Sequence, residues 1–237
     1  MNEIQKLREM VEASSSIVFF GGAGCSTESG IPDYRSVDGL YHQKFKYPPE
    51  TMLSRSFFSS HPEDFFDFYR NKMLCLTAQP NAAHIKLAEL EQSGKLTAVV
   101  TQNVDGLHQV AGSRNVCELH GSVHRNYCTK CGKSFSAQFI QDSSGVPRCE
   151  CGGIIKPDVV LYEESLDQEV IERAVSAISR ADMLIIGGTS LAVYPAAGFV
   201  NYYRGNRLVI INLQPTPYDR AANLAICGRI GEVMSQI

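Results

Sequence analysis

Apolar runs and amphipathic segments alternate along this chain. The apolar runs are candidate strands and cover residues 16–20, 96–103, 182–190 and 207–213. Helical spacing of apolar residues appears over 4–11, 81–94 and 167–181. Because parallel strands buried on both faces form continuous apolar runs, the pattern predicts an α/β fold with a parallel sheet covered by helices on both faces.

Two regions interrupt this alternation. Residues 38–76 are rich in aromatic residues and predict a small helical insertion. Residues 124–155 contain paired cysteines and turn residues with little helical periodicity, and they predict a second insertion held by metal.

Composition describes an ordinary globular protein. The chain has 237 residues, 44% hydrophobic and 20% charged, and a net charge of −3, which argues against a nucleic-acid partner. The N-terminal segment carries charges throughout and does not resemble a signal peptide, and no apolar run reaches membrane length. We therefore expect a cytoplasmic protein that makes no membrane contact.

Four of the eight cysteines form two close pairs. Seventeen residues separate the pair Cys128 and Cys131 from the pair Cys149 and Cys151, and glycines follow both pairs. Thiols in a reducing compartment rarely form disulfides, so this spacing favours a structural Zn²⁺ with four sulfur ligands. A redox pair or a nucleic-acid-binding zinc ribbon is the weaker interpretation.

The other cysteines are scattered at positions 25, 75, 117 and 227, and we expect each to be a small buried apolar residue. Cys25 is the exception to examine. It lies in a glycine-rich turn, where backbone amides near a phosphate site can lower a thiol pKa.

That turn follows the first candidate strand and contains Gly21, Gly22 and Gly24. Such turns are typical of phosphate sites. A hydride-transferring dehydrogenase is disfavoured, because no acidic residue stands about twenty positions further on to bind a ribose. Asn212, at the end of a later strand, is a candidate partner for ribose hydroxyls instead.

Polar residues gather after the second candidate strand, in the stretch TQNVDGLHQ at 101–109. His120 precedes a glycine at another predicted strand end. An isolated histidine is usually a packed or surface residue, but ligand sites of open α/β sheets lie at these strand ends. The sequence therefore favours a functional role for Gln102, Asn103, Asp105 and His120.

Six motifs together resemble the sirtuins, NAD-dependent protein-lysine deacylases, over nearly the whole chain. They read GAGCSTESGIPDYR, TQNVDGLHQ, ELHGSVHRNYCTKC, CECGGIIKPDVVLYEE, GTSLAVYPAAGF and INLQPTPYD. The resemblance implies a Rossmann-like, doubly wound domain formed by 1–37, 77–123 and 156–237, with the helical and zinc insertions over 38–76 and 124–155. NAD would be a co-substrate bound between the domains, and acylated-lysine proteins or peptides would be the partners.

The resemblance also assigns site residues. His120 would act as general base, with Asn103 and Asp105 positioning the nicotinamide ribose and a water. The remaining cofactor residues would be Gly22, Ala23, Gly24, Thr27, Ile31, Asp33, Tyr34, Arg35, Gln102, Val104, Gly188, Thr189, Ser190, Asn212, Leu213 and Ile230. Residues Val159, Val160, Leu161, Tyr162 and Val193 would flank the substrate, bound as an added strand.

The acyl preference follows from the helical insertion. Sirtuins that prefer acidic acyl groups carry Tyr-x-x-Arg there, whereas this chain has Phe66 and Tyr69 at those positions. Arg70 is one residue away, about 100° around a helix. We therefore expect a preference for neutral acyl groups, acetyl first.

Three other functions stay open at this stage. The same NAD-cleaving site could transfer ADP-ribose to a protein. The chain could instead be a non-catalytic NAD-binding or zinc scaffold, although His120, Asn103 and Asp105 are all present. Hydride transfer is the weakest alternative, because the ribose-binding acid is missing.

Overall fold

The computed structural model describes residues 2–34, 36 and 39–237. Its strands, numbered along the chain, are β1 Ile17–Gly21, β2 Leu96–Thr101, β3 Val116–Glu118, β4 Gly121–Cys128, β5 Ser134–Ser136, β6 Ile155–Val159, β7 Met183–Gly187, β8 Leu208–Asn212 and β9 Leu224–Cys227. The α-helices are α1 Glu3–Glu12, α2 Pro49–Met52, α3 Arg55–Ser60, α4 Pro62–Phe68, α5 Ala82–Gln92, α6 Leu107–Val110, α7 Ala137–Asp142, α8 Gln168–Arg180 and α9 Ile230–Met234.

Several short 3₁₀ turns and one π-helical turn complete the secondary structure. The 3₁₀ turns are Ala23–Cys25, Thr27–Ser29, Leu40–His42, Ala196–Tyr202 and Asp219–Ala221, and Tyr69–Met73 is a π-helical turn. Among the helices of the described ranges, none is long and apolar enough to cross a bilayer.

Six strands form a sheet in the order β3-β2-β1-β7-β8-β9, with every neighbouring pair parallel. Strands β2 and β3 are added on one side of β1, and strands β7, β8 and β9 are added on the other side. The strand order therefore reverses between β1 and β7, which is where open α/β sheets bind ligands. The predicted doubly wound, Rossmann-like sheet is confirmed.

Alternate residues of β1 explain why helices cover both faces of this sheet. Ile17 and Phe19 pack into a core shared with α1, α5 and α9, whereas Val18 and Phe20 pack into the core beneath α8. All four side chains are completely buried. A strand with no polar face can lie only between two layers, so the apolar run SIVFF specifies a central strand.

A second sheet of three antiparallel strands has the order β5-β4-β6. Its apolar residues and those of α2, α3 and α4 form one further core. The helices predicted for the aromatic segment are therefore present. β4 begins at Gly121 and β6 ends at Val159, so this sheet extends beyond the predicted insertion limits of 124 and 155. The division into domains stays a prediction.

Candidate active site

The carboxyl ends of β1, β2, β7 and β8 surround one cavity of about 430 Å³ that extends to the end of β6. The residues predicted for the cofactor, the catalytic step and the substrate all line this cavity, except Arg35. Arg35 lies outside the described residues. Widely separated motifs thus meet at one place because parallel strands deliver their carboxyl ends to the same edge.

At the bottom of the cavity, the turn after β1 and the turn after β7 are in direct backbone contact, with no side chain between them. The amide of Gly24 donates to the carbonyl of Gly188 over 2.8 Å. A Cβ atom on Gly24 would lie 2.9 Å from the Gly188 Cα, and one on Gly188, whose φ is +60°, would collide with the backbone of Cys25. Glycine is required here by this close approach between turns.

Hydrogen bonds in the β1 turn therefore differ from those of a phosphate cradle. The amides of Gly22, Gly24, Cys25 and Ser26 all donate to protein carbonyls, so they do not point at an anion. The glycines provide a flat backbone surface, and the sequence pattern alone could not distinguish these two uses.

The prediction that Cys25 is a small buried apolar residue is confirmed, and its thiol pKa is not lowered. Its side chain is fully buried beneath the turn, and burial raises the pKa of this thiol, with Asp105 and Glu28 raising it further. Cys117 is buried as predicted, but the prediction of burial is wrong for Cys227, which is exposed, and for Cys75, which is half-buried.

Side chains after β1, β2 and β3 form a compact polar group, here called the strand-end cluster: Ser26, Asn103, Asp105 and His120. The Ser26 hydroxyl donates to the Asp105 carboxylate over 2.6 Å and accepts from the Asn103 amide over 3.0 Å. Ser26 was not predicted, although its place in the glycine turn was a usable signal. It fixes Asn103 and Asp105 with respect to each other.

His120 has one ring nitrogen committed to the protein. Its Nδ1 lies 2.9 Å from the carbonyl oxygen of Gln102. A carbonyl can only accept, so Nδ1 carries the ring proton, and the neutral ring keeps a lone pair on Nε2. Burial lowers the pKa of His120, and the bond to the Gln102 carbonyl opposes part of that shift. His120 is therefore a neutral imidazole at pH 7, able to accept a proton at Nε2.

The backbone around His120 connects the cluster to the second sheet. Gly121 follows with φ +74°, and a Cβ there would collide with the Asp158 carbonyl of β6. The carbonyl of His120 accepts from the amide of Val160 over 3.0 Å. The residue that starts β4 must be glycine, and the predicted substrate segment is attached directly to the histidine.

The far end of the cavity holds Thr189 and Asn212. The Asn212 side chain accepts from the Thr189 amide and donates to the Thr189 carbonyl, both over 2.9 Å. Gln102 donates to the Thr189 hydroxyl over 3.1 Å. Asn212 therefore holds the turn after β7 in place, and its predicted contact with ribose hydroxyls stays a prediction.

The segments predicted to flank the substrate contain backbone strain. Within the described ranges, Glu163 with φ +75° and Leu191 with φ +54° are the non-glycine residues with positive φ. Glu163 lines the edge of the cavity, and Leu191 directly follows the lining residue Ser190; such strain is concentrated at functional sites. The backbone of Tyr162 is already paired, because its amide donates to the Leu53 carbonyl and its carbonyl accepts from the Arg55 amide.

Arg70 points away from the cavity. Its guanidinium donates to the carbonyl of Gly145 over 2.6 Å and lies over the ring of Phe66. Phe66 and Tyr69 are fully buried, and neither lines the cavity. Lys72, which was not predicted, does line it and donates to Gln43 over 3.1 Å.

The four paired cysteines converge in the second sheet and are here called the cysteine cluster: Cys128, Cys131, Cys149 and Cys151. All four sulfur atoms lie within 4.8 Å of one another, with closest pairs at 3.4 and 3.7 Å. Sulfur atoms bound to zinc at 2.3 Å in a tetrahedron are about 3.8 Å apart. The cluster therefore fits Zn²⁺ with every coordination position filled by sulfur.

A family model with the description Sir2 family matches residues 22–195. The chain belongs to the Sir2 family. This sirtuin is 59% identical to an NAD-dependent protein deacetylase of Clostridium acetobutylicum, with alignment over 100% of this chain and 98% of that protein. It is 58% identical to the protein of the same name from Clostridium perfringens, with the same coverage.

Solved structures agree with this assignment. A Sir2 protein with a p53 peptide and NAD⁺ superposes with a TM-score of 0.87 at 40% identity, over 99% of this sirtuin and 96% of that chain. A Sir2 variant with a deacetylated p53 peptide and 3′-O-acetyl ADP-ribose gives a TM-score of 0.91 at 39% identity, over 98% and 96% of the two chains. The predicted sirtuin resemblance is confirmed.

Proposed function

We propose that this protein removes acetyl groups from protein lysines in a reaction that consumes NAD. The observation that carries the proposal is the free Nε2 lone pair of His120, which lines the same cavity as Asn103 and Asp105. NAD supplies the ADP-ribosyl group that receives the acetyl group as nicotinamide leaves. A general base beside the ribose is what this transfer requires of the protein.

His120 is proposed to take the proton of a ribose hydroxyl at Nε2. The other ring proton stays on Nδ1 and is donated to the Gln102 carbonyl. The imidazolium that forms is therefore stabilised by that 2.9 Å hydrogen bond. Because burial lowers the pKa of His120, the base is unprotonated at neutral pH without a carboxylate partner. Ser26 holds Asp105 and Asn103 on the neighbouring strand end, from where they would orient the ribose and a water.

The cavity divides into regions suited to the parts of NAD. Ile31, Asp33 and Val104 are proposed to receive the carboxamide of nicotinamide. The adenosine half is assigned to the turns after β7 and β8 and to α9, with the residues Gly188, Thr189, Ser190, Leu213 and Ile230. Asn212 supports this region through Thr189. In the β1 turn the amides of Gly22, Gly24, Cys25 and Ser26 are bonded internally, and the Thr27 hydroxyl donates to the Gly24 carbonyl, so Thr27 offers its hydroxyl oxygen as an acceptor.

The acyl-lysine peptide is proposed to enter between the segments 159–163 and 190–194, which line one edge of the cavity. Related solved structures contain acetylated and propionylated peptides. In this chain the Tyr162 hydroxyl lies 3.0 Å from that of Tyr41, so the two rings border the entrance from opposite segments. Neutral acyl groups are expected to be preferred, because Arg70 faces Gly145.

Zinc is structural in this assignment, since four sulfur ligands leave no position for substrate. The cytoplasmic location stays a prediction from the sequence.

Product analysis tests the proposed function. The purified protein is incubated with an acetyl-lysine peptide, with and without labelled NAD, and all products are followed by mass spectrometry. The expected result is free lysine peptide, nicotinamide and soluble acetyl-ADP-ribose in equal amounts, only with NAD. Label on the protein would indicate ADP-ribosyl transfer, reduction of NAD would indicate hydride transfer, and unchanged NAD would indicate a scaffold; each would overturn the proposal.

A further inference from the structure

Three titratable side chains that the proposed mechanism does not use meet behind the cofactor turn. Cys25, His84 and His108 each present a ligand atom, and these atoms all lie within 4.8 Å of one another. Cys25 and His84 are 0% exposed and His108 is 1% exposed. A buried cysteine is common, but two completely buried histidines side by side are unusual in an apolar core.

The three residues come from separate segments. Cys25 ends the 3₁₀ turn after β1, His84 lies in the first turn of α5, and His108 lies in α6. The two imidazole rings meet edge to face with centroids 4.7 Å apart. The sheet packs against the group through Phe19, whose ring centroid lies 6.0 Å from that of His108.

The histidines are incompletely hydrogen-bonded. Both ring nitrogens of His108 and the Nε2 of His84 have no hydrogen-bond partner among the described residues. No tautomer of His108 relieves this, because each neutral form leaves one buried donor and one buried acceptor. Buried polar atoms without partners are rare and point to a ligand or a special function.

We propose that Cys25, His84 and His108 bind a monovalent copper ion. A thiolate is a soft ligand that selects Cu(I), and imidazole suits copper as well. The ligands together carry one negative charge, so a Cu⁺ centre is neutral, whereas burying a net charge is costly. Cu(I), a d¹⁰ ion, is stable with two or three ligands.

Zinc fits this site less well. It takes four ligands in structural sites, and the described cysteine, histidine, aspartate and glutamate side chains supply three within the 4.8 Å separation. A fourth ligand would have to be water in an apolar interior. The cysteine cluster meets the requirement of zinc, and the buried group meets that of Cu(I).

Binding requires two proton movements. The Cys25 thiol loses its proton to solvent as the copper–sulfur bond forms, and His108 donates a lone pair. His84 accepts a 3.2 Å hydrogen bond from the Asn81 amide at Nδ1, so its ring proton is on Nε2. That proton moves to Nδ1 and the bond to Asn81 breaks when Nε2 binds copper. Copper stays Cu(I) throughout, so no oxidant is needed.

Bound copper would join two segments that carry active-site residues to helix α5. Cys25 lies between Gly24 and Ser26, both of which line the cavity, and His108 lies three residues after Asp105. An ion that binds the folded chain and not the unfolded one raises the melting temperature. The proposal concerns binding and does not depend on the deacetylase assignment.

The test uses the zinc-loaded protein under anaerobic conditions. Cu(I) is titrated against a colorimetric Cu(I) chelator, while zinc is measured in the same samples. The expected result is one equivalent of Cu(I) bound with zinc retained, a raised melting temperature, and an X-ray absorption spectrum showing both imidazole nitrogen and a single sulfur at copper. A copper centre with sulfur neighbours alone, or release of zinc in proportion to copper, would place the ion in the cysteine cluster and overturn the proposal.

Variants separate the two sets of cysteines. Cys25→Ser is expected to weaken Cu(I) binding by about 100-fold, the upper end of the loss seen for groups that merely support a ligand. Cys117→Ser, at a cysteine of equal burial outside the group, is the matched control and should bind like the wild type. Equal losses in both variants, or none in Cys25→Ser, would contradict the assignment. If Cys25→Ser does not fold, the copper spectrum of the wild-type protein decides.

Discussion

The strand-end cluster and the cysteine cluster differ in whether an atom remains available to a substrate. In the cysteine cluster every sulfur faces one centre, with nearest pairs at 3.4 and 3.7 Å, so each ligand atom is committed to the metal. In the strand-end cluster Ser26 bridges Asn103 and Asp105, while His120 binds the Gln102 carbonyl through Nδ1 and keeps the lone pair on Nε2 for a substrate. A stabilising site satisfies all of its atoms, whereas a reactive site leaves one atom for the substrate.

Removing one sulfur tests the structural half of this comparison and should have the largest effect. Cys128→Ser is expected to lose zinc and unfold the three-stranded sheet, since zinc binding to such ligand sets is worth roughly 10–16 kcal/mol. Activity should fall as a consequence. Metal analysis and thermal unfolding check this, with the exposed Cys227→Ser as control. A zinc-free variant that melts like the wild type would show that the metal is not structural.

Removing the base tests the reactive half. His120→Ala is expected to lower kcat for deacetylation by about 10²–10⁴, the usual contribution of a general base, while zinc content and melting temperature stay near wild type. Steady-state kinetics with acetyl-lysine peptide measures the loss. His61→Ala, at a histidine outside the cavity, is the matched control. A His120→Ala enzyme with nearly full activity would remove the basis of the proposed mechanism.

The position of Asp105 depends on Ser26. Ser26→Ala removes the 2.6 Å hydrogen bond to the carboxylate. A bond to a charged group contributes about 1.5–3 kcal/mol, so kcat/KM should fall by about ten- to a hundredfold if the bond acts in the transition state. Ser29→Ala, in the same turn but bonded to Asn81, should be much closer to wild type. Equal losses in both variants would indicate general damage to the turn.

The pH profile gives a smaller effect with a definite sign. Burial lowers the pKa of His120 below its ordinary 6.5, so the ring stays neutral further into the acid range. On the acid side, kcat/KM should therefore fall with a midpoint below 6.5, and less than half of the activity should be lost at pH 6.5. A midpoint at or above 6.5 would mean that another group controls this limb or that His120 is better solvated.

The two clusters also differ in how far the sequence predicts them. Short-range spacing was sufficient for the cysteine cluster, because paired thiols are adjacent in the chain and have few other uses. The strand-end cluster was found by position after strands, and the family motifs gave its residues. What the sequence did not show was how each atom is used: Ser26 as a bridge, Asn212 as a support for Thr189, and the glycines as contacts between turns.

These details depend on the pairing of β1 with β7 and of β2 with β1, which brings together residues far apart in sequence. Gly24 needs no side chain because of Gly188, and nothing near Gly24 in the sequence indicates that neighbour. The raised pKa of Cys25 has the same origin, since burial under the turn depends on α5 and α6. Local pattern predicts which strand ends matter, and tertiary packing decides what each atom there does.

For the acyl preference we predict that substitution of Arg70 has no effect. The Arg70 guanidinium donates to the carbonyl of Gly145, four residues before Cys149 in the chain, so it is committed to a structural contact outside the cavity. Arg70→Ala should leave the ratio of acetyl to succinyl turnover unchanged, with acetyl-lysine peptide turned over faster in both proteins. Lys72→Ala is the matched comparison, because Lys72 lines the cavity and could attract a carboxylate. Equal or faster turnover of the succinyl peptide by the wild type would overturn the acetyl preference, and selective loss of that turnover in Arg70→Ala would show that the arginine reaches the acyl group.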